Sequence, residues 1–348
     1  MANPVLESTK FLTQDTEYVD IDQERLKEVV KEFSKWEFKL PIWDEPVFLH
    51  PKYKRVGDII DQWYNEREAG KLMNFEILGN SINFCYKDPW TKEQYGATYL
   101  GKEYKGSFAM WGSLKSAVEE GRFDMNGLSF KDITVEGMEA VFGKGMPLME
   151  ERAAVFREIG TVLERKYDGT FANLVKESGH RLFNDGKGLV ELLASDFSTF
   201  DDSYVVGGKK AVFNKRAQLA GAVLHAASGG DNTSPFYFSD SDKLTVFADY
   251  ILPRNLRDLG ILRYKNGLGE RVDREEIVFE GSREELEIRA ATVHAADMIL
   301  VRLNNLLGAK RKPRVNATHL DYVLWMTSKV ERLIPHLSPH HLTPTIRY

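Results

Sequence analysis

Two carboxylates, Asp240 and Asp249, lie within the stretch Phe236–Gly260, each beside aromatic side chains: Phe238 precedes the first, and Phe247 and Tyr250 flank the second. Taking an ionised carboxylate out of water is costly unless a partner or a function compensates, so a charge among rings marks a place to look for chemistry. Leu244, Phe247, Ile251, Leu252, Leu256 and Leu259 fall at helical spacing and give a core face over 242–259, with Asp249 and Tyr250 to one side of it. On periodicity alone, a mid-helix aspartate is more often solvated or ion-paired than catalytic. Pro253 changes the picture, because a residue without an amide hydrogen does not sit comfortably deep in a helix. A new helix therefore begins near Leu252, or the helix kinks there, and either arrangement brings Asp249 to a helix terminus where backbone donors hold a carboxylate. Upstream, Asn214-Lys215-Arg216-Ala217-Gln218 supplies two adjacent cations that point about 100° apart on a helix. One can face inward, although two surface charges are the plainer reading.

The elements that must position these groups are mostly helical. Ile21, Leu26, Val29, Val30 and Phe33 predict an amphipathic helix over 18–36, with Asp20 or Asp22 to cap its first turn. The run 40–51, with three prolines and His50 at its end, predicts an extended loop, and a second helix is expected over 56–68. Residues 73–86 read as two short strands broken at Gly79-Asn80, followed by more strand-like sequence over 95–109. Helices are expected over 112–121, 134–142, 147–167, 170–178, 186–195, 210–227, 242–259, 283–307 and 316–333, with Pro147 and Gly169 bracketing the third of these. The fold class expected is mainly α with a small antiparallel β-sheet in the first third, an α+β arrangement. The N-terminal helices and sheet (1–110) would pack on a helical body (111–348) as one compact unit.

Composition narrows the function. The chain has 348 residues, 43% hydrophobic and 28% charged, enough to bury a sizeable core. A formal net charge of −5 argues against a polymeric nucleic acid as the main partner, since proteins that track phosphates carry a basic footprint. No apolar run reaches the length of a membrane span, and the N-terminus lacks the basic and apolar regions of a signal peptide, so the expected location is the cytosol. One cysteine, Cys85, excludes an internal disulfide and a cysteine zinc cluster, and its apolar surroundings suggest a buried, inert thiol. His340-His341 reads as a solvated pair. Gly137–Lys144 only superficially matches a phosphate loop, because Gly145 stands where Ser or Thr is required. No dinucleotide fingerprint, calcium loop or zinc-protease motif is present, and neither a metal nor a cofactor is expected.

At this point several separated blocks converge. Phe238-Ser239-Asp240 and Leu244-Thr245-Val246-Phe247-Ala248-Asp249-Tyr250-Ile251-Leu252-Pro253, preceded by Asn214–Gln218, closely resemble the queuosine salvage family, the queuosine 5′-phosphate N-glycosylases. Leu49-His50-Pro51, Ser81-Ile82-Asn83-Phe84, Met146-Pro147-Leu148 with Glu150-Glu151-Arg152, Glu287-Ile288-Arg289, Leu320-Asp321-Tyr322 with Leu324-Trp325, and Arg347-Tyr348 match in the same order, so the likeness spans nearly the whole chain. It implies hydrolysis of the N-glycosidic bond of queuosine 5′-monophosphate and release of queuine for return to tRNA. It also implies a helical body similar to the helix-hairpin-helix DNA glycosylases, whose catalytic segment Phe247-Ala248-Asp249-Tyr250-Ile251 resembles. The glycine-rich hairpin that grips DNA phosphates is missing, in keeping with the acidic charge and a free nucleotide as substrate.

The resemblance also divides the labour. Asp249 would lie beneath the sugar and stabilise its developing oxocarbenium-like charge. Queuine is a 7-deazapurine with no N7 to protonate, so help to the leaving base would come through its guanine-like edge, with Asp240 as the acceptor there. Phe238 and Tyr250 would stack on or line the base, His50 would close over it, and Asn83 would add hydrogen bonds. Lys215, with Arg216 or Arg347 as rivals, would meet the 5′-phosphate, and Asp321 and Tyr322 would support the pocket from behind. The partners implied are the nucleotide and its free base, with no polymer, no membrane and a monomer by default. The alternatives are a DNA- or RNA-base glycosylase using the same Asp249, and a non-enzymatic queuine-binding protein.

Overall fold

A computed structural model describes residues 3–38, 46–48, 66–125, 127–326, 330–334 and 336–348. The chain enters with α1 (Pro4–Thr9), capped by Asn3, and β1 (Val19–Ile21). Asp22 then accepts the amides of Glu24 and Arg25 and starts α2 (Gln23–Phe33), which turns Leu26, Val29, Val30 and Phe33 inward. Next come α3 (Glu66–Ser81), the hairpin of β2 (Gly96–Tyr99) and β3 (Lys102–Lys105), and α4 (Ser107–Glu119). A helical series follows: α5 (Val135–Phe142), α6 (Met149–Lys166), α7 (Phe171–Glu177) and α8 (Leu189–Asp196). Thr134 and Thr170 cap α5 and α7 through their hydroxyls, and Gly169 takes a left-handed φ of 77° just beyond α6.

A second hairpin, β4 (Ser203–Val206) and β5 (Lys209–Val212), leads into α9 (Lys215–Ala227). Then follow α10 (Ile251–Asp258), β6 (Leu262–Tyr264), α11 (Leu268–Asp273), the long α12 (Arg283–Ala309) and α13 (Ala317–Trp325). The architecture is mainly α. Its β structure among the described residues is three antiparallel two-stranded pairs, β1 with β6, β2 with β3 and β4 with β5.

Three sequence expectations fail for identifiable reasons. Residues 73–81 are the end of a helix instead of strands: both faces of α3 are covered, so the polar punctuation that reveals a 3.6-residue period is absent. Gly79 marks a close approach and not a turn, since a Cβ there would lie 2.1 Å from the Trp111 ring. The helix expected over 210–227 begins only at Lys215, because 209–212 pairs with 203–206 across Gly207-Gly208, both at positive φ. The helix expected over 242–259 begins at Ile251. Pro253 occupies its first turn, where the missing amide costs nothing, and 244–250 runs as irregular chain. His50, the proline-rich run apart from Pro46–Phe48, and residues 56–65 of the helix expected over 56–68 lie outside the described residues.

Two large apolar clusters form the core. One gathers Phe75, Trp111, Phe156, Phe197 and Phe238, and the other is built by α2, α10, α12 and α13 around Phe33, Leu256, Ile299 and Leu320. Trp325, at the end of α13, packs against both, and the cavity that it helps to line opens at this junction.

Candidate active site

The cavity measures about 440 Å³ and is large enough for a drug-sized ligand. Its central feature is the irregular segment before α10, which three neighbouring elements hold by its backbone. On α9, Gln218 accepts the Thr245 amide at 3.0 Å, while its own amide donates to the Phe213 carbonyl and the Thr245 hydroxyl. From α13, Asp321 accepts the Phe247 amide at 2.7 Å. On α12, the fully buried Arg289 donates to the Ala248 carbonyl at 3.2 Å. With flanking backbone fixed on both sides, the direction of Asp249 is set by the tertiary structure instead of being left to a flexible loop.

Asp249 stands at the N-terminus of α10. Its Oδ1 accepts the Ile251 amide at 2.8 Å and the Leu252 amide at 3.2 Å, the donors that a helix leaves unmet in its first turn. No donor among the described residues meets Oδ2, so the carboxylate presents one open oxygen to the cavity that it lines. Two further charges share this end. Lys215 is 5% exposed, donates its backbone amide to Asp202, and carries its ammonium to the cavity wall with no partner among the described residues. Burial pulls that ammonium below its usual pKa, against the opposing charge of Asp249. The Asp321 carboxyl is pushed well above the usual carboxylate range by burial, opposed by the Phe247 amide, with the charge of Asp249 adding to the rise. Burial thus favours the protonated form of Asp321 beside Asp249.

Aromatic rings line another part of the cavity. Phe48 meets Phe108 at a ring distance of 4.7 Å, and Phe108 stacks on Trp325 at 5.3 Å and 14°. Trp111 closes the group from α4. Along one side, Asn83 links Asn80 and Tyr86 in a chain of side-chain hydrogen bonds, accepting from the Tyr86 hydroxyl at 2.8 Å. The buried Arg152 holds the carbonyls of Ile82, Phe84 and Cys85 and so fixes the backbone that carries Asn83. On the remaining wall, Tyr250 stacks on His340 at 4.5 Å.

The cavity thus brings together Asn83, Lys215, Asp249, Tyr250, Asp321 and Tyr322, and leaves other expected site residues outside. Asp240 lies off the cavity wall: its two oxygens accept the amides of Leu182 and Phe183, at 2.8 and 3.1 Å, with Lys243 alongside. Each oxygen thus holds a backbone amide, and the structure does not bring Asp240 to the cavity where a base edge would lie. Phe238 is buried in the core beside His180, and its ring faces no part of the cavity. Arg216 is occupied by the carbonyls of Ser81, Thr199 and Arg347, and Arg347 by Ser198 and Glu280, so neither lines the site.

Residues missed in the sequence are Glu76, the aromatic group and His340. Trp325 stood inside a matching block, which was a usable signal; Phe108 and Trp111 had none. The tail histidines are not a solvated pair: His340 is partly exposed against Tyr250, and His341 is buried beside the Tyr348 hydroxyl, where burial pushes its pKa down to about 3. Cys85 is buried, and burial pushes its thiol up to about 11, the inert state expected of it. Among the described residues, no cluster of ligating side chains could hold a metal ion, and no helix is long and apolar enough to cross a membrane.

The sequence has known relatives. The family described as "Queuosine salvage protein" matches residues 63–348. A protein of Sphaerobacter thermophilus named queuosine 5′-phosphate N-glycosylase/hydrolase is 32% identical, with all of both chains covered. Proteins of the same name from Dictyostelium discoideum and Mus musculus are 29% and 27% identical, the first covering 99% of this chain and 98% of its own, the second 98% of each.

Proposed function

Because the chain belongs to the queuosine salvage protein family, we propose that it is an N-glycosidase that hydrolyses queuosine 5′-phosphate and releases queuine, with Asp249 as the carboxylate beneath the ribose. The observation that carries this reading is the half-occupied carboxylate: one oxygen is clamped by the Ile251 and Leu252 amides, and the other faces a cavity of nucleotide size. As the C1′–N bond breaks, its electron pair goes to the base and positive charge grows on the sugar. A fixed anion in a largely dry site stabilises that charge without reorganising. Water then adds to C1′ and gives up a proton, and the base gains one.

The role of reading the base edge passes from Asp240 to Asp321. A carboxyl that keeps its proton can donate one hydrogen bond and accept another, which suits the carbonyl and N–H of a guanine-like edge. Tyr250 and the rings around Trp325 supply flat apolar walls for such a base. Lys215 remains the residue for the 5′-phosphate, now with Arg254 and Lys105 as the other cations on the cavity wall in place of Arg216 and Arg347. The test is incubation of the protein with queuosine 5′-phosphate and detection of free queuine by mass. Queuine should accumulate with time, and its absence would overturn the reading.

A further inference from the structure

Glu76 is a buried carboxylic acid on the cavity wall for which the reaction above has no use. It is 4% exposed, it lines the cavity, and its carboxyl accepts no hydrogen bond and forms no ion pair among the described residues. An unpartnered carboxyl held at that depth is destabilising. Burial pushes its pKa well above the usual carboxylate range, opposed only by the charge of Lys115 on α4. The Asp249 and Asp321 pair, by contrast, shares its field with Lys215. Glu76 thus lines the same cavity with Lys115 as its opposing charge.

Its position is fixed by helix geometry. Gly79, about one turn further along α3, lies against the Trp111 ring, so this stretch of the helix packs on a ring that lines the same cavity. Asn80, one turn away on the same face, also lines the cavity. A carboxylic acid that shares a cavity lining with Trp111, Phe108 and Trp325 suits an organic ammonium: the incoming positive charge favours the ionised carboxylate that meets its N–H donors, and the ring faces favour the charge and its adjoining carbons.

We infer that Glu76, with Asn80 beside it, forms a subsite for a protonated amine carried on the base of the substrate. This rests on the proposed function, for queuine bears on its 7-deazaguanine ring a secondary amine that joins the ring to a cyclopentenediol. The subsite makes the protein selective for the amine-bearing base over an unsubstituted one. Asp249 acts on the sugar whichever base is attached.

The test compares queuine with 7-deazaguanine, which lacks the amine arm, by calorimetric binding to the wild type and to Glu76→Gln. The wild type should bind queuine more tightly, and Glu76→Gln should lose roughly tenfold or more in queuine affinity while its 7-deazaguanine affinity stays within about twofold. In turnover of queuosine 5′-phosphate the same variant should raise KM and leave kcat nearly unchanged. Equal loss for both bases, no loss for either, or failure of the wild type to bind queuine overturns the subsite. Binding of free bases involves no bond cleavage, so it decides this point even if the wild type releases no queuine from the nucleotide, an outcome that would overturn the proposed reaction.

Discussion

Two clusters of buried charge lie next to each other in this molecule and are used in opposite ways. In the first, Arg289 on α12 pairs with Asp202 at 2.8 and 2.5 Å and reaches Glu285 at 3.5 Å, while its third nitrogen donates to Ala248 and its plane lies over Phe213 and Tyr348. Asp202 in turn accepts the Lys215 amide, and Glu285 the Gly281 amide. In the second, among the described residues, Asp249 has one oxygen without a donor and Lys215 has an ammonium without a partner, and burial favours the protonated form of Asp321. The contrast teaches that burial of charge does not by itself mark an active site; unspent bonding capacity facing a cavity does. The two are nonetheless coupled. The satisfied cluster grips the residue before Asp249 and the backbone of Lys215, so it is the frame on which the open one is mounted.

The sharpest way to break the comparison is Asp249→Asn. Asparagine still offers an oxygen to the Ile251 and Leu252 amides, so the fold should hold within about 1 kcal/mol. Removing the fixed negative charge should lower kcat by roughly 10³-fold. A queuine-release assay beside a thermal melt checks both halves, and a variant with near-normal rates would show that another carboxylate serves the sugar. Arg289→Met should do the converse. Leaving Asp202 buried without its partner should cost about 3–5 kcal/mol in denaturant unfolding. If that variant melted like the wild type, the cluster would not be the frame described.

Asp240→Asn is the smallest of the three. It leaves only one of the Leu182 and Phe183 amides with an acceptor, and the loss should be about 1–3 kcal/mol. KM for queuosine 5′-phosphate should stay within about twofold of wild type. A large KM change without loss of stability would return Asp240 to the site.

How much was legible follows from which interactions are local. The caps were readable: Asp22, Thr134 and Thr170 each act within three residues of their own position. The start of α10 was readable as well, since Pro253 and Asp249 are four residues apart and constrain the same helical turn. The Gly207-Gly208 hairpin carried a signal that a strong helical pattern downstream obscured. The strand reading of 73–81 failed because a helix covered on every side has no solvent face to betray its period. The pairing of Val19 with Tyr264 had no local signal, because three residues on each side are too few to show alternation.

Sequence by itself brought Asp249 near a helix terminus, with a new start or a kink both open, and the order of its separated blocks pointed to the family. Both follow from short-range geometry or from residues read one after another. Only the tertiary structure decided which charges are free to act. Asp240 is satisfied by amides 57 and 58 positions away, Arg289 by a carboxylate 87 positions away, and Glu76 by nothing among the described residues. A residue type states what a side chain can bond to, but whether those bonds are already made depends on backbone that folding brings from elsewhere in the chain.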